Sequence, residues 1–292
     1  LLNCPELDVR LMVTDEGKRE YRGKLIAKLL EAAGRTDIPV GLGVPVDIYE
    51  GGHKIRNWQE EWVADYDLDD YPGKIHRDGV QAMIDTIMKE GTPARPVFVI
   101  TAGPVTNLEE ALNREPKIAQ RAAFYGMAGE IAEGRNESNV LADPDALKAV
   151  FEARWEKTLA PVDTAGDINL MGQPFVDIRD ADDPLLNALM TNYEIWSHDW
   201  LKTRGKKHYP WGSSTLFDTL PVYLAAVEDP GEMVEMETLK LVVQAKQRGD
   251  GKTLIDAKGA PVHTAVKWAK PNGLEEFETW LHNRLLSPTV RR

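Results

Sequence analysis

From residue 7 to residue 162 the chain trades one hydrophobic period for another, and this exchange limits its fold more than any other feature. Residues 7–14 (LDVRLMVT) are apolar and rich in branched side chains, as a buried strand requires. Tyr21, Leu25, Ile26, Leu29, Leu30 and Ala33 then recur at helical spacing, and Gly34 suits the position just past a helix end. Residues 38–42 form a second short strand pattern. Val80, Met83, Ile84 and Ile87 mark a helix begun at Asp78, and residues 96–100 (PVFVI) read as another buried strand. Thr106-Asn107-Leu108-Glu109 has the form of a capping box, Asp143-Pro144 opens a further helix, and residues 159–162 return as a strand. Parallel strands need a crossover between them, so this order predicts an α/β fold: a mainly parallel, doubly wound sheet with helices on both faces. In the C-terminal third, residues 253–256 and 262–268 predict a small hairpin turning through 257–260, and residues 275–286 a closing helix. With no linker and no internal repeat, residues 1–292 are expected to form one domain.

Charge and cysteine content narrow the function. With 47 Asp and Glu against 35 Lys and Arg, the formal charge of −12 argues against a nucleic-acid surface. One cysteine, Cys4, allows no disulfide within the chain and no thiolate metal cluster. No apolar run approaches the ~20 residues that span a bilayer. No leader pattern is visible, so the expectation is a cytoplasmic protein without a membrane partner. Leu1-Leu2-Asn3 reads as the tail of a helix.

Ligands of open α/β sheets bind beyond the carboxyl ends of the strands. Four polar groups fall at such places. Thr101 to Asn107 joins a strand to a helix, where carbonyls can face a cation and amides an anion, although an ordinary capped connection has the same form. Asn136-Glu137-Ser138-Asn139 offers donors and acceptors suited to sugar hydroxyls, or is a solvated loop. Asp218 precedes an apolar helix as an N-cap or a hard-metal ligand. His76 lies ahead of Asp78-Gly79 as a capping residue or a catalytic one. A long aromatic segment, 51–73, contains Trp58, Trp62, Tyr66 and Tyr71, and with residues 193–200 it is expected to form a lid.

Taken in order, these segments resemble the inosine–uridine-preferring nucleoside hydrolases. Thr101-Ala102-Gly103-Pro104-Val105-Thr106-Asn107-Leu108 is similar to the family's G-P-L-T-N-L loop, and Met127-Ala128-Gly129 to its M-G-G turn. Glu137-Ser138-Asn139-Val140 with Asp143-Pro144 resembles E-F-N-(I/V)-x-x-D-P. Phe217-Asp218 stands where His-Asp is common, Ile38 to Gly43 resembles the P-V-x-x-G strand, and His76-Arg77-Asp78-Gly79 resembles H-G-x-D-G.

The resemblance implies hydrolysis of the N-glycosidic bond of a small-molecule ribonucleoside, by a water activated on bound Ca²⁺. It assigns the Thr101 carbonyl and the Asp218 carboxylate to the metal. Asn139, Glu137 and Met127 go to the ribose, with Asp218 also touching it, and His76 goes near the leaving base. Asp15 lies at the same mouth. Assembly as a homodimer or homotetramer is also implied. Two departures stand out. The family's opening strand with its D-x-D-x-x-x-D-D cluster is absent from these 292 residues, and Phe217 cannot protonate a leaving base. Two other readings remain open: a catalytically inactive nucleoside- or ribose-binding protein on the same fold, and an unrelated metal-free glycosidase pairing Glu137 with Asp218.

Overall fold

The computed structural model describes residues 1–45, 57–203, 211–245 and 250–290, with side chains described except at 199–203. In chain order the elements are β1 (Met12–Val13), α1 (Arg19–Ala32), β2 (Val40–Gly41), β3 (Ile75–His76), α2 (Gly79–Glu90), β4 (Val97–Thr101), α3 (Thr106–Arg114) and β5 (Ala122–Met127). There follow α4 (Ser138–Ala142), α5 (Pro144–Glu152), β6 (Glu156–Ala160), α6 (Val162–Ala165), α7 (Gln173–Arg179), α8 (Pro184–Thr203) and α9 (Thr219–Ala226). The chain closes with β7 (Val234–Gln244), β8 (Lys252–Ile255), β9 (Ala260–Trp268) and α10 (Gly273–Leu286).

The strands form two sheets. β1, β2 and β3 lie side by side and parallel, with Val13 opposite Gly41 and Gly41 opposite His76. The larger sheet runs β4-β5-β6-β9-β7-β8, parallel from β4 to β9 and antiparallel where β7 meets β9 and β8. Successive strand residues point to opposite faces, and each face has its own core. Phe124 and Leu159 join the cluster built on Ile84, Leu108 and Leu147 from α2, α3 and α5. Tyr125 and Ala160 face the other cluster, built on Phe175, Leu186, Leu220 and Phe277 from α7 to α10. The sheet is therefore doubly wound, as the alternation of patterns predicts.

Four local expectations are corrected. Residues 253–256 and 262–268 do not pair with one another. Both β8 and β9 run antiparallel to β7, so the chain does not reverse at 256–259 and the hairpin partner is β7. The connection instead presses onto β7, where a Cβ on Gly259 would lie 2.6 Å from the Leu241 backbone. Residues 159–162 split between the end of β6 and the start of α6. The capping box does not form: Val105 is the N-cap without a side-chain bond, and the Thr106 hydroxyl donates to Asp143 Oδ2 at 2.6 Å. The helix begins one residue too early for the box, so Thr106 lies inside it and its hydroxyl serves Asp143 instead.

The last correction bears on the site. The segments 7–14 and 96–100 read as buried, yet only Met12–Val13 of the first is strand, and Phe98 on β4 is 43% exposed. Among the described residues β1 pairs only with β2 and β4 only with β5, so each has one unpaired edge there. Between them runs a trough of about 950 Å³ lined by Leu11, Val13, Ile26, Ile87, Val97 and Val99. Its walls are the side chains whose sequence pattern asked for burial.

Candidate active site

The polar residues gather at the carboxyl ends of β1, β4 and β5. β5 ends at Met127, which is buried, and its carbonyl accepts from Asn139 Nδ2 at 2.9 Å. Glu137 caps α4. Its Oε1 accepts from Ser138 Oγ at 3.0 Å and the Asn139 amide at 2.9 Å, and its Oε2 accepts from the amides of Gly129 at 3.0 Å and Val140 at 3.2 Å. Four donors on one buried carboxylate leave it little capacity for a sugar hydroxyl. Glu137 is thus the support on which Met127 and Asn139 are aligned. The Asn139 Oδ1 accepts nothing from the described residues.

Asp218 occupies the N-cap position of α9 but makes no side-chain cap bond. Its side chain reaches the surface, yet protein crowds around it closely enough to disfavour the charged form. That crowding is the main cause raising its carboxyl to about 7, and the charge of Glu137 adds to it. Asp15 follows the buried Thr14 at the end of β1 and is likewise pushed up to about 7, first by burial and then by the adjacent Glu16. It rests on the turn after β4, where a Cβ on Gly103 would collide with Asp15 Oδ2. Residues 86 positions apart at Asp15 and Thr101 thereby come to one mouth. Beside them the Thr101 Oγ1 is buried without a hydrogen-bond partner.

His76 ends β3 level with Val13 on β1, two strands and about 10 Å to the side at ordinary strand spacing. Burial lowers its pKa, and its charged neighbours are Lys74 and Asp85. Phe217 packs against the core around α9.

The aromatic lid is also not borne out for the residues described, and 51–56 lie outside them. Leu68 and Tyr71 join the core under α1, Lys28 Nζ lies 4.3 Å from the Trp62 ring, and the Tyr66 hydroxyl donates to Glu31. Tyr193 packs edge-on to Phe175 at 5.7 Å. These rings are held by the scaffold itself.

Calcium takes six to eight oxygen ligands. The Thr101 carbonyl and the Asp218 carboxylate are donors of the right kind. Among the described residues, however, no three His, Cys, Asp or Glu side chains lie close enough together to hold an ion. The set is too small by itself, and no reaction step is routed through a metal.

The sequence model of the inosine-uridine preferring nucleoside hydrolases matches residues 1–276. The chain belongs to that family. Members are metal-dependent in general. Among curated relatives of this hydrolase-family chain, the pyrimidine-specific ribonucleoside hydrolase RihA of Salmonella paratyphi B is 25% identical over 193 residues, or 63% of this chain and 61% of that protein. RihA of Escherichia coli O7:K1 is 27% identical over 171 residues, or 56% and 54%. The aligned part thus spans under two thirds of the curated relatives. Two solved structures share the fold. A plant nucleoside hydrolase, PpNRh1, has a TM-score of 0.76 at 21% identity, covering 98% of this chain and 93% of its own. A purine-preferring ribonucleoside hydrolase from Gardnerella vaginalis has a TM-score of 0.76 at 20% identity, covering 97% and 93%. Membership removes the reading of an unrelated glycosidase. Within the described residues, no helix is long and apolar enough to cross a membrane.

The two raised carboxyls make stability depend on pH. Between the ordinary aspartate pKa and about 7, the folded protein binds more protons than the unfolded chain. Their stabilising contribution is full below about pH 4 and gone above about pH 7. Asp218→Asn is therefore expected to raise Tm at pH 8 and change it little at pH 4, measured by thermal melts with chelator present. An equal shift at both pH values would contradict the raised carboxyl.

Proposed function

We propose that the chain carries the ribonucleoside site of a nucleoside hydrolase, cleaving the N-glycosidic bond to ribose and free base. The observation that carries this reading is Asp218, held at a helix start with its carboxylate uncapped and exposed, close enough to Glu137 to feel its charge, while Glu137 itself aligns Asn139. A helix cap that makes no cap bond has its oxygens available for a ligand. Asn139 Oδ1 accepts a ribose hydroxyl, Met127 packs against the sugar, and Asp218 accepts from the ribose. Asp15 and the turn at Thr101 close the opposite wall. An anionic wall of this kind stabilises the cationic sugar of an oxocarbenium-like transition state. Glu137 acts through Asn139 rather than on the sugar, and His76 is given no step.

Calcium is the metal we propose, with Thr101 and Asp218 as two of its oxygen donors.

The small donor set favours one alternative, a nucleoside-binding protein without catalysis. Release of ribose from a ribonucleoside panel, with and without Ca²⁺, separates the two. Tight nucleoside binding with no ribose released would establish the alternative.

A further inference from the structure

We infer that Asn107 is a positioning residue: its side-chain amide ties the three-stranded sheet to the β4–α3 turn and so fixes Asp15 at the mouth of the site. The inference deepens the ribonucleoside reading and rests on it. Among the described residues the two sheets share no strand pairing. At their carboxyl ends a fork at Asn107 joins them. Asn107 Oδ1 accepts from the Val44 amide at 2.8 Å, and Asn107 Nδ2 donates to the Thr14 carbonyl at 3.0 Å. A third bond closes the knot, from the Gly43 amide to Thr14 Oγ1 at 2.9 Å. The fit is tight, since a Cβ on Gly43 would lie 2.5 Å from Asn107 Oδ1 and 2.8 Å from Nδ2.

The chemistry selects asparagine. One arm must accept and the other must donate, at a reach fixed by the Gly43 contact. Aspartate matches the shape but would set an anionic oxygen against the Thr14 carbonyl. Glutamine is one methylene too long for the gap. The consequence falls on the next residue. Thr14 is buried and held by both its carbonyl and its hydroxyl, so the backbone entering Asp15 has no freedom. Gly103, four residues before Asn107, leaves the space that the Asp15 carboxyl fills. One helix start therefore both anchors the backbone of Asp15 and receives its side chain. Asn107 touches no reacting atom in this arrangement and acts through Asp15.

The test is a double-mutant cycle of Asn107→Asp and Asp15→Asn, read as inosine affinity by calorimetry on the 292-residue chain, with amide exchange at Val44 followed in parallel. Asn107→Asp is expected to weaken inosine binding by about tenfold and to speed exchange at Val44. The two substitutions together should cost less than the product of their separate effects, because each removes the same placement. Phe175→Leu, in the core on the other face of the large sheet, is the control: it lowers Tm without moving inosine affinity or Val44 exchange. Multiplicative effects, or unchanged affinity and exchange in Asn107→Asp, would overturn the role of Asn107. Wild-type protein that binds no inosine would instead sink the ribonucleoside reading, and the exchange result would then judge the fork alone.

Discussion

Asp218→Ala is expected to lower kcat/KM for ribose release by about 10² to 10³-fold, the scale of losing one preorganised electrostatic group at a reacting centre. The measurement is made in Ca²⁺ over a panel of ribonucleosides. Two properties of Asp218 set the size. Its oxygens are not spent on capping α9, so their whole capacity is open to ligand. Its carboxyl is raised to about 7 by crowding, so a cation or a positively charged sugar gains more from meeting it than from meeting a solvated aspartate. The effect should sit in kcat more than in KM if Asp218 serves the transition state. Asp218→Asn, with nearly the same shape, should lose almost as much. Full activity in either variant would remove Asp218 from the site.

Glu137→Ala is expected to destabilise the fold by about 3 kcal/mol, from the lost cap and the amides left buried without an acceptor. For a chain of this size that is a fall in Tm of roughly 6 to 12 °C. Nucleoside affinity should fall with it, because Met127 and Asn139 are aligned by the same carboxylate. Glu137→Gln keeps one accepting oxygen and should fall between wild type and Ala. An unchanged Tm with abolished binding would show instead that Glu137 is a direct sugar contact, as the resemblance alone implies. The two outcomes differ in thermal melts before any activity is measured.

Much of the site could be read along the chain, but not how its parts are used. Asp143-Pro144 and Asp78 open helices as their residue types predict, with Asp143 Oδ1 taking the Ala146 amide at 3.1 Å and Asp78 Oδ1 the Gln81 amide at 2.9 Å. Glu137 and Asn139 were legible as a polar group suited to sugar hydroxyls. Which of the two caps a helix and which faces a ligand was not, because both are acceptors and only the fold decides which amides lie in reach. Asp218 shows the converse: it has the sequence signature of a cap and makes no cap bond. Asn107 read as part of a local capping box, and its true partners, Thr14 and Val44, lie 93 and 63 residues away. The one sequence signal for that fork was Gly43, the residue that admits a side chain against the backbone.

The aromatic residues teach the same distinction. Trp62, Tyr66 and Tyr71 were read as a lid from composition, since a long loop rich in rings often covers a site. They pack on α1 because Ala27 and Leu30 leave that helix with an apolar face to cover. A ring buries the same area against a helix as against a nucleoside base, so its identity does not say which.

By itself the sequence determined the doubly wound class, the strand–helix alternation of the first half and the family, because hydrophobic period and ordered motifs are properties of neighbouring residues. Only the tertiary structure decided that Asp15 meets the turn at Thr101, that His76 stays two strands aside, that β8 and β9 share β7, and that the apolar walls of β1 and β4 face an open trough. Those facts depend on which strands lie side by side, and strand order is set by packing between segments far apart in the chain.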